Sequence, residues 1–339
     1  MLYNTEILRS SDNNDIIKAA RLLAGGEVVG IPTETVYGLA ADATNENAVK
    51  KIFEAKGRPQ DNPLIVHLSE PSELELYVKD IPYTAYRLAE KFWPGPLTMV
   101  LPKRDIIPNA TSAGLDTVGI RIPAHKTARE IIKACGKPLA APSANLSGSP
   151  SPTSAQHVFK DMIGRIPAVV DGGVCPVGVE STVISFAEDG VNLLRPGFIS
   201  VSDLEAVAGK VYLAKGITEA VPNTEKVLSP GMKYKHYSPE ANITIIDATI
   251  EDFAKYFEAN SNKNTYAMIF EDDKKFIKKN YLVYGNNSEE QARNLFNVLR
   301  EFDDIGAKQV YARCPSLDGV GLAVYNRLLR AAGFEVIKL

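Results

Sequence analysis

The chain has 339 residues, and 38 Lys+Arg against 41 Asp+Glu give a formal charge of −3. At about 100–200 residues per domain this length favours two domains. Hydrophobic residues at 45% and charged residues at 23% support a large buried core and exclude disorder as the main state. The near-neutral balance excludes a protein that coats nucleic acid or membrane with its whole surface. Cys135, Cys175 and Cys314 form no CxxC pair, so neither a disulfide framework nor a zinc knuckle is expected, and a reducing compartment fits. Residues 1–15 hold no apolar signal-peptide region, and no apolar run approaches the ~20 residues of a membrane span. The expectation is a soluble cytoplasmic protein without a membrane partner.

In chain order, Ile16, Ile17, Ala20 and Leu23 have helical spacing, and Gly25-Gly26 stops that helix. Residues 27–32 read as a short apolar strand. A second helix spans about 47–56, with Val49, Ile52 and Phe53 as its buried stripe and Gly57 at the C-terminal cap position. Residues 64–68, 97–101 and 118–122 read as buried strands, which makes the N-terminal part, residues 1–208, one mixed α/β unit. Residues 209–241 carry Ser229-Pro230-Gly231 and Ser238-Pro239 and read as an interdomain linker. That linker ends in a dense run, Met232-Lys233-Tyr234-Lys235-His236-Tyr237, suited to docking on something. From 242 to 339 the pattern alternates: strands at 243–246, 266–270, 281–284, 309–313 and 335–338, with helices at 251–257, 289–302 and 321–332. Such alternation predicts βαβ units in a largely parallel three-layer sheet, a small domain that is Rossmann-like in outline.

Common catalytic signatures are absent: there is no P-loop, no GxGxxG after a strand, no HExxH and no GxSxG. Five other segments carry candidate chemistry. Pro32-Thr33-Glu34-Thr35-Val36-Tyr37-Gly38-Leu39 follows a strand directly, where α/β folds place ligands. Lys56-Gly57-Arg58-Pro59, with Asn62 and His67 beyond it, offers a point charge and a bidentate fork for phosphates; a helix-end pair of cations and a satisfied core histidine are the plainer alternatives. Arg121 lies in the apolar run Thr117-Val118-Gly119-Ile120-Arg121-Ile122. Burying it requires an anion, either an internal carboxylate or a substrate carboxylate, and the residues alone do not choose. In Ala140-Ala141-Pro142-Ser143-Ala144-Asn145-Leu146-Ser147-Gly148 small residues admit a ligand to the backbone. Ser143 has no paired base and reads as a hydrogen-bonding contact. The fifth segment joins Gly178-Val179-Glu180-Ser181-Thr182-Val183 with Leu194-Arg195-Pro196-Gly197. Together Lys56, Arg58, Arg121 and Arg195 could balance a triphosphate plus a carboxylate. No positioned general acid or base emerges, so catalysis would rest on orientation and charge stabilisation.

These motifs resemble the Sua5 subgroup of the YrdC family, the L-threonylcarbamoyladenylate synthases. PTETVYGL, KGRPQDNPLIVHL, PGPLTMVL, VGIRIPAH, APSANLSG, GVESTVI and LLRPG stand in the family's order over about residues 14–200, and SPGMKYKHYSP with the following α/β domain resembles the Sua5 extension. The resemblance implies a twisted, curved YrdC-type α/β domain with a concave, basic cleft. It implies a nucleotidyltransferase that condenses L-threonine, bicarbonate and ATP into threonylcarbamoyl-AMP and pyrophosphate for tRNA processing, with Mg2+ accompanying the ATP. The product would pass to a transferase complex that makes N6-threonylcarbamoyladenosine (t6A) in tRNA. By motif, Thr35, His67, Arg121, Ala141 and Ser181 would bind L-threonine, with Arg121 on its carboxylate. Arg58, Asn62, Thr117, Ser143, Ser151 and Arg195 would contact ATP, Lys56 and Asn145 completing that signature. Lys56 and Arg58 would act catalytically on the phosphates, and Tyr234, His236 and Tyr237 would close over the nucleotide as a lid. No residue is assigned to a metal. The same basic cleft would suit weak tRNA or double-stranded RNA binding, and a carbamoyl-transfer step like that of the YrdC-like module in hydrogenase-maturation proteins is the other alternative.

Overall fold

A computed structural model describes residues 3–57, 62–219 and 237–339. Its first sheet has eleven strands: β1 (Glu6–Arg9), β2 (Val29–Ile31), β3 (Gly38–Asp42), β4 (Ile65–His67), β5 (Leu97–Pro102), β6 (Thr117–Arg121), β7 (Leu139–Ala140), β8 (Ala168–Asp171), β9 (Thr182–Ala187), β10 (Gly190–Arg195) and β11 (Lys210–Leu213). The lateral order is β1-β8-β2-β3-β7-β4-β6-β5-β9-β10-β11, with parallel and antiparallel pairs mixed. Strand alternation sorts the side chains in the centre of this sheet. Val66, Val118 and Ile120 enter the main apolar core, while His67 and Arg121, register partners across the parallel pair β4/β6, face the other way.

The helix Glu46–Lys56 shows how local chemistry delivers a functional group. Asn45 caps it by accepting from the amides of Asn47 and Ala48, and Gly57 ends it in the left-handed region at φ 61°. Val49, Ile52 and Phe53 are buried along one face, each contributing about 1.5–3 kcal/mol through burial. That packing fixes the last residue, Lys56, with only 3% of its surface exposed.

The second sheet holds β12 (Asn242–Asp247), β13 (Thr265–Phe270), β14 (Tyr281–Gly285), β15 (Gln309–Arg313) and β16 (Val336–Lys338), all parallel, in the order β14-β13-β15-β12-β16. Phe253 and Phe257 of the helix Ile250–Asn260 pack with Ile246, Ala267 and Ile269. The helices Ser288–Asp304 and Gly321–Ala331 pack with Ile243, Ile245 and Met268. The expected Rossmann-like winding is corrected in one respect: β15 is inserted between β12 and β13, whereas the dinucleotide-binding order keeps the first two strands adjacent. The helix Ile250–Asn260 spans that position, and the chain returns later to fill it.

A second correction concerns the linker. Its first residues, Lys210–Leu213, form β11, which extends the first sheet by pairing in parallel with β10. Val211, Tyr212 and Leu213 are three apolar residues in a row, but the edge position leaves Tyr212 and Leu213 exposed, so no alternation of buried and exposed residues marks the strand. Tyr234 and His236 of the proposed lid lie outside the described residues, as does Arg58. The halves meet through a shared apolar cluster that takes Val36 and Val179 from the first domain into the core of the second. Arg300 forms a bidentate pair with Asp161 at 3.0 and 2.8 Å, and Arg293 and Asn326 donate to the carbonyls of Pro176 and Ile217. Among the described residues no helix is long and apolar enough to cross a membrane.

Candidate active site

The ends of the central strands of the first sheet converge on one cleft of about 760 Å³, including its open mouth. Its walls come from the β2–β3 loop (Thr33, Thr35), the C-terminal ends of β4 (His67) and β6 (Arg121), the loop after β7 (Ala141, Ser143, Asn145), the entry to β9 (Glu180, Ser181) and the end of β10 (Arg195). Lys56 reaches in from its helix, and Tyr237 closes one side.

Arg121 is 4% exposed, and its anion is an internal carboxylate: Nη2 lies 2.7 Å from Glu34 Oε1. Nη1 donates to Thr35 Oγ1 at 2.8 Å and Nε to the Gly95 carbonyl at 3.3 Å. Burial alone would raise the Glu34 carboxyl, but the adjacent Arg121 outweighs it and holds the group below the usual carboxylate range. His67 is buried beside this pair, and its Nδ1 donates to the Ile65 carbonyl at 3.2 Å. Burial, reinforced by the Arg121 charge, pushes the imidazole down to about 3, so it is neutral at physiological pH.

Lys56 spans to the loop after β7. Its Nζ donates to the carbonyls of Ser143 and, at 2.7 Å, Asn145, while the Ser147 amide donates to the Lys56 carbonyl at 3.0 Å. Asn145 Nδ2 closes the same loop by donating to Leu146 and Ser149 carbonyls. The lysine therefore shapes the small-residue loop as well as charging the cleft.

On the opposite wall Arg195 donates through Nε and Nη2 to the Ser181 carbonyl at 3.1 and 3.0 Å, and through Nη2 to Ser181 Oγ at 3.1 Å. Ser181 Oγ also lies 2.8 Å from Thr98 Oγ1. Burial and the neighbouring Arg327 push the Arg195 guanidinium down to about 10, still charged at neutral pH. Glu180 accepts from Ser151 Oγ at 2.6 Å and from Arg327 Nε at 2.7 Å. Burial would raise its carboxyl, and the charges of Arg327 and Arg195 bring it below the usual range. Tyr237, in the left-handed region at φ 64°, packs against Phe296 with centroids 5.3 Å apart and beneath the Arg327 guanidinium at 5.8 Å.

Of the residues named from sequence, Thr35, Lys56, His67, Arg121, Ala141, Ser143, Asn145, Ser181, Arg195 and Tyr237 line this cleft. Thr117 instead borders a smaller neighbouring cavity that shares Ile65 with it, because β6 places Thr117 one strand length away from Arg121. Asn62 is buried outside the lining, and Ser151 is buried behind Glu180, whose carboxylate accepts its hydroxyl hydrogen bond. Sequence reasoning missed Glu34 and Glu180 as counter-ions, although both stand inside quoted motifs, and missed Arg327 altogether. Among the described residues, the buried cations Lys56, Arg121, Arg195 and Arg327 face the buried carboxylates Glu34 and Glu180, which leaves an excess of two positive charges. Such a site receives anions and excludes much of the bulk water that would screen them.

A family model described as "Telomere recombination" matches residues 21–197, and one described as "Threonylcarbamoyl-AMP synthase, C-terminal domain" matches residues 199–333. The threonylcarbamoyl-AMP synthases of Pyrococcus abyssi and Bacillus subtilis are 44% and 45% identical to this chain, with 95% and 97% of the chain and 95% and 96% of those proteins covered. The chain belongs to the two-domain Sua5 type of threonylcarbamoyl-AMP synthase. The crystal structure of P. abyssi Sua5 complexed with L-threonine superimposes at a TM-score of 0.89, with 42% identity and 99% of both chains covered. The Sua5 type is thus matched across both domains; the cleft lining lies within the part matched by the first family model except for Tyr237, which falls in the second.

The buried His67 has a consequence for stability. Its folded pKa of about 3 lies below the ordinary 6.5, so between those values the unfolded chain binds a proton that the folded chain refuses. Stability should therefore rise with pH across about pH 3 to 6.5, with a contribution from this group of up to ~1.4 kcal/mol per pH unit. The difference in unfolding free energy between wild type and His67→Gln, measured by denaturant titration at several pH values, should carry that slope. A difference independent of pH would reject a neutral buried imidazole.

Proposed function

We propose that this cleft condenses L-threonine, bicarbonate and ATP into threonylcarbamoyl-AMP and pyrophosphate. The observation that carries the reading is the enclosed surplus of positive charge at the ends of β4, β6 and β10, matched to one amino-acid carboxylate and a chain of phosphates. The L-threonine bound to the Sua5 of P. abyssi supports it. Arg121, already oriented by Glu34 and Thr35, would hold the threonine carboxylate, with His67, Ala141 and Ser181 around the rest of the amino acid. Neutral His67, with its proton on Nδ1, would offer Nε2 as an acceptor without competing for the carboxylate as a second cation. Lys56, Ser143, Asn145 and Arg195 would line the phosphate path, and Arg58 and Asn62 would contact the nucleotide. Thr117 would approach through the adjacent cavity, and Ser151 would act through Glu180. Tyr237, with Tyr234 and His236, would cover the nucleotide.

The chemistry then follows from placement. The threonine amine captures carbon dioxide released from bicarbonate, losing a proton to become a carbamate. A carbamate oxygen attacks the α-phosphorus, a P–O bond forms, and the bond to pyrophosphate breaks. The carbamate is labile in water, so closing the cleft over it would protect it. Lys56 and Arg195 would stabilise charge moving onto the leaving pyrophosphate. Magnesium would enter with the ATP as part of the substrate. Both cleft carboxylates are engaged by arginines, and among the described residues no three His, Cys, Asp or Glu side chains converge as a metal site, so these residues offer the ion no cage of their own. The product would serve a transferase complex that installs t6A in tRNA in the cytoplasm. Weak tRNA or double-stranded RNA binding at the basic mouth belongs to the same reading. The first sheet would form the curved YrdC-type domain and the second the three-layer Sua5 domain, with residues 214–241 acting as the connection and lid.

Pyrophosphate release from ATP should require both L-threonine and bicarbonate, with an AMP adduct as co-product. Release indifferent to threonine, followed by phosphate assay and mass spectrometry, would reject the reading.

A further inference from the structure

Asn145 closes the small-residue loop with one end of its side chain and leaves the other end unanswered. Nδ2 donates to the Leu146 carbonyl at 2.7 Å and to the Ser149 carbonyl at 2.9 Å. Oδ1 is buried and meets no hydrogen-bond donor among the described residues. The network decides which atom is the oxygen: a flipped amide would press Oδ1 against two carbonyl oxygens, acceptor on acceptor. The residue is 6% exposed and lines the cleft together with Lys56 and Ser143. A buried acceptor left without a donor costs about 1–3 kcal/mol, so an orphan in a ligand-binding wall calls for a partner that arrives with the ligand.

Ionised phosphate is not that partner, because its oxygens only accept. Two acceptors settle against each other only with a donor or a cation between them. Lys56 answers the main-chain carbonyls of Ser143 and Asn145 and leaves the side-chain oxygen of Asn145 unanswered. The charge count points to a cation as well. Among the described residues, Lys56, Arg121, Arg195 and Arg327 against Glu34 and Glu180 leave an excess of two positive charges. Free ATP carries about four negative charges and its magnesium complex about two, so the complex is the form this wall balances. We propose that Asn145 Oδ1 is the protein's direct ligand to the magnesium ion of MgATP, with phosphate and water oxygens completing the shell. A neutral amide oxygen is a hard donor of the kind Mg2+ takes, and an ion carried by substrate phosphates needs few protein ligands. That no three His, Cys, Asp or Glu side chains converge among the described residues is consistent with an ion held in this way. The two hydrogen bonds from Nδ2 fix the amide plane, so the loop itself sets the direction of Oδ1. Bound there, the ion would neutralise part of the phosphate charge. This rests on the reading of the cleft as an ATP site.

The test uses the full chain and α,β-methylene-ATP, whose α–β bridge is not cleaved, with calorimetric Kd values measured in Mg2+ and in EDTA. Wild type should bind the analogue more tightly in Mg2+. In Asn145→Ala the ratio of the two Kd values should shrink by ~10-fold or more. The ratio decides, because a residue that only shapes the loop weakens binding equally in both conditions. An unchanged ratio in a folded Asn145→Ala protein would overturn the proposal, whether the orphan then meets a water or a hydroxyl of the nucleotide. Wild type that binds equally well with and without Mg2+ would overturn it too, and would leave the ATP reading standing. Wild type that binds the analogue in neither condition would reject the ATP reading itself. Should Asn145→Ala fail to fold, the wild-type chain is labelled with 13C at the asparagine carboxamide carbon, and Mn2+ replaces Mg2+ with the analogue. Electron–nuclear double resonance should then show a 13C coupling to the manganese, and its absence would overturn the assignment.

Discussion

Arg121→Met is expected to lower kcat/KM for L-threonine by about 10²–10⁴-fold. Charge-assisted hydrogen bonds are worth about 1.5–3 kcal/mol each, two of them from one guanidinium to a substrate carboxylate amount to ~3–6 kcal/mol, and every ~1.4 kcal/mol is tenfold. The variant also leaves Glu34 as a buried carboxylate without the cation that sits 2.7 Å from it. Removing one partner of a buried pair costs about 3–5 kcal/mol, so the protein should be destabilised as well. The two effects separate in the double variant Arg121→Met/Glu34→Gln, in which the stranded charge is gone. Stability, read by denaturant unfolding, should return substantially, and threonine-dependent turnover should not. A folded variant with wild-type KM for threonine would remove Arg121 from the substrate site and leave it a purely internal ion pair.

Lys56→Ala should act on the other kinetic parameter. Its ammonium holds the carbonyls of Ser143 and Asn145 and so sets the loop on which those two side chains are mounted, and it adds one of the charges facing the phosphates. Loss of a preorganised donor of this kind costs about 10²–10³ in kcat. L-Threonine binding measured calorimetrically without ATP should change by less than ~3-fold, because the contacts proposed for the amino acid come from other strands. Wild-type turnover in this variant would sink the assignment of Lys56.

The elements that could be read from the sequence are those whose own residues carry the signal. The helix Glu46–Lys56 has its cap, its apolar stripe and its terminal glycine in one continuous run from Asn45 to Gly57, and the strands and helices of the second domain alternate by period alone. The strand Gly38–Asp42 was hidden in a motif that reads as a polar turn, because GLAAD is made of small residues whose burial comes from neighbouring strands. Edge strand Lys210–Leu213 was hidden for the opposite reason, since it faces solvent. In the cleft, the cations were legible as types but their counter-ions were not. Glu34 reaches Arg121, and Glu180 reaches Arg327, only once distant strands and a second domain have come together. The even choice between an internal and an external anion for Arg121 was therefore a true limit of one-dimensional reading: the internal carboxylate is present, and the substrate role is an additional proposal.

Gly178 stands two residues before Glu180, at φ 81°, where its backbone lies directly against Ala292 and Arg293 at the front of the helix Ser288–Asp304. A β-carbon there would overlap the Ala292 carbonyl and the Arg293 α-carbon, both rigid backbone. The separation of the two halves is thus gauged by a missing methyl group. Any larger residue at this position is a shim: it lifts the turn that bears Glu180 away from the helix bundle that bears Arg327, without altering either of them. The tolerance of the cleft is therefore written partly into a residue with no side chain, at a place that contributes no atom to the chemistry.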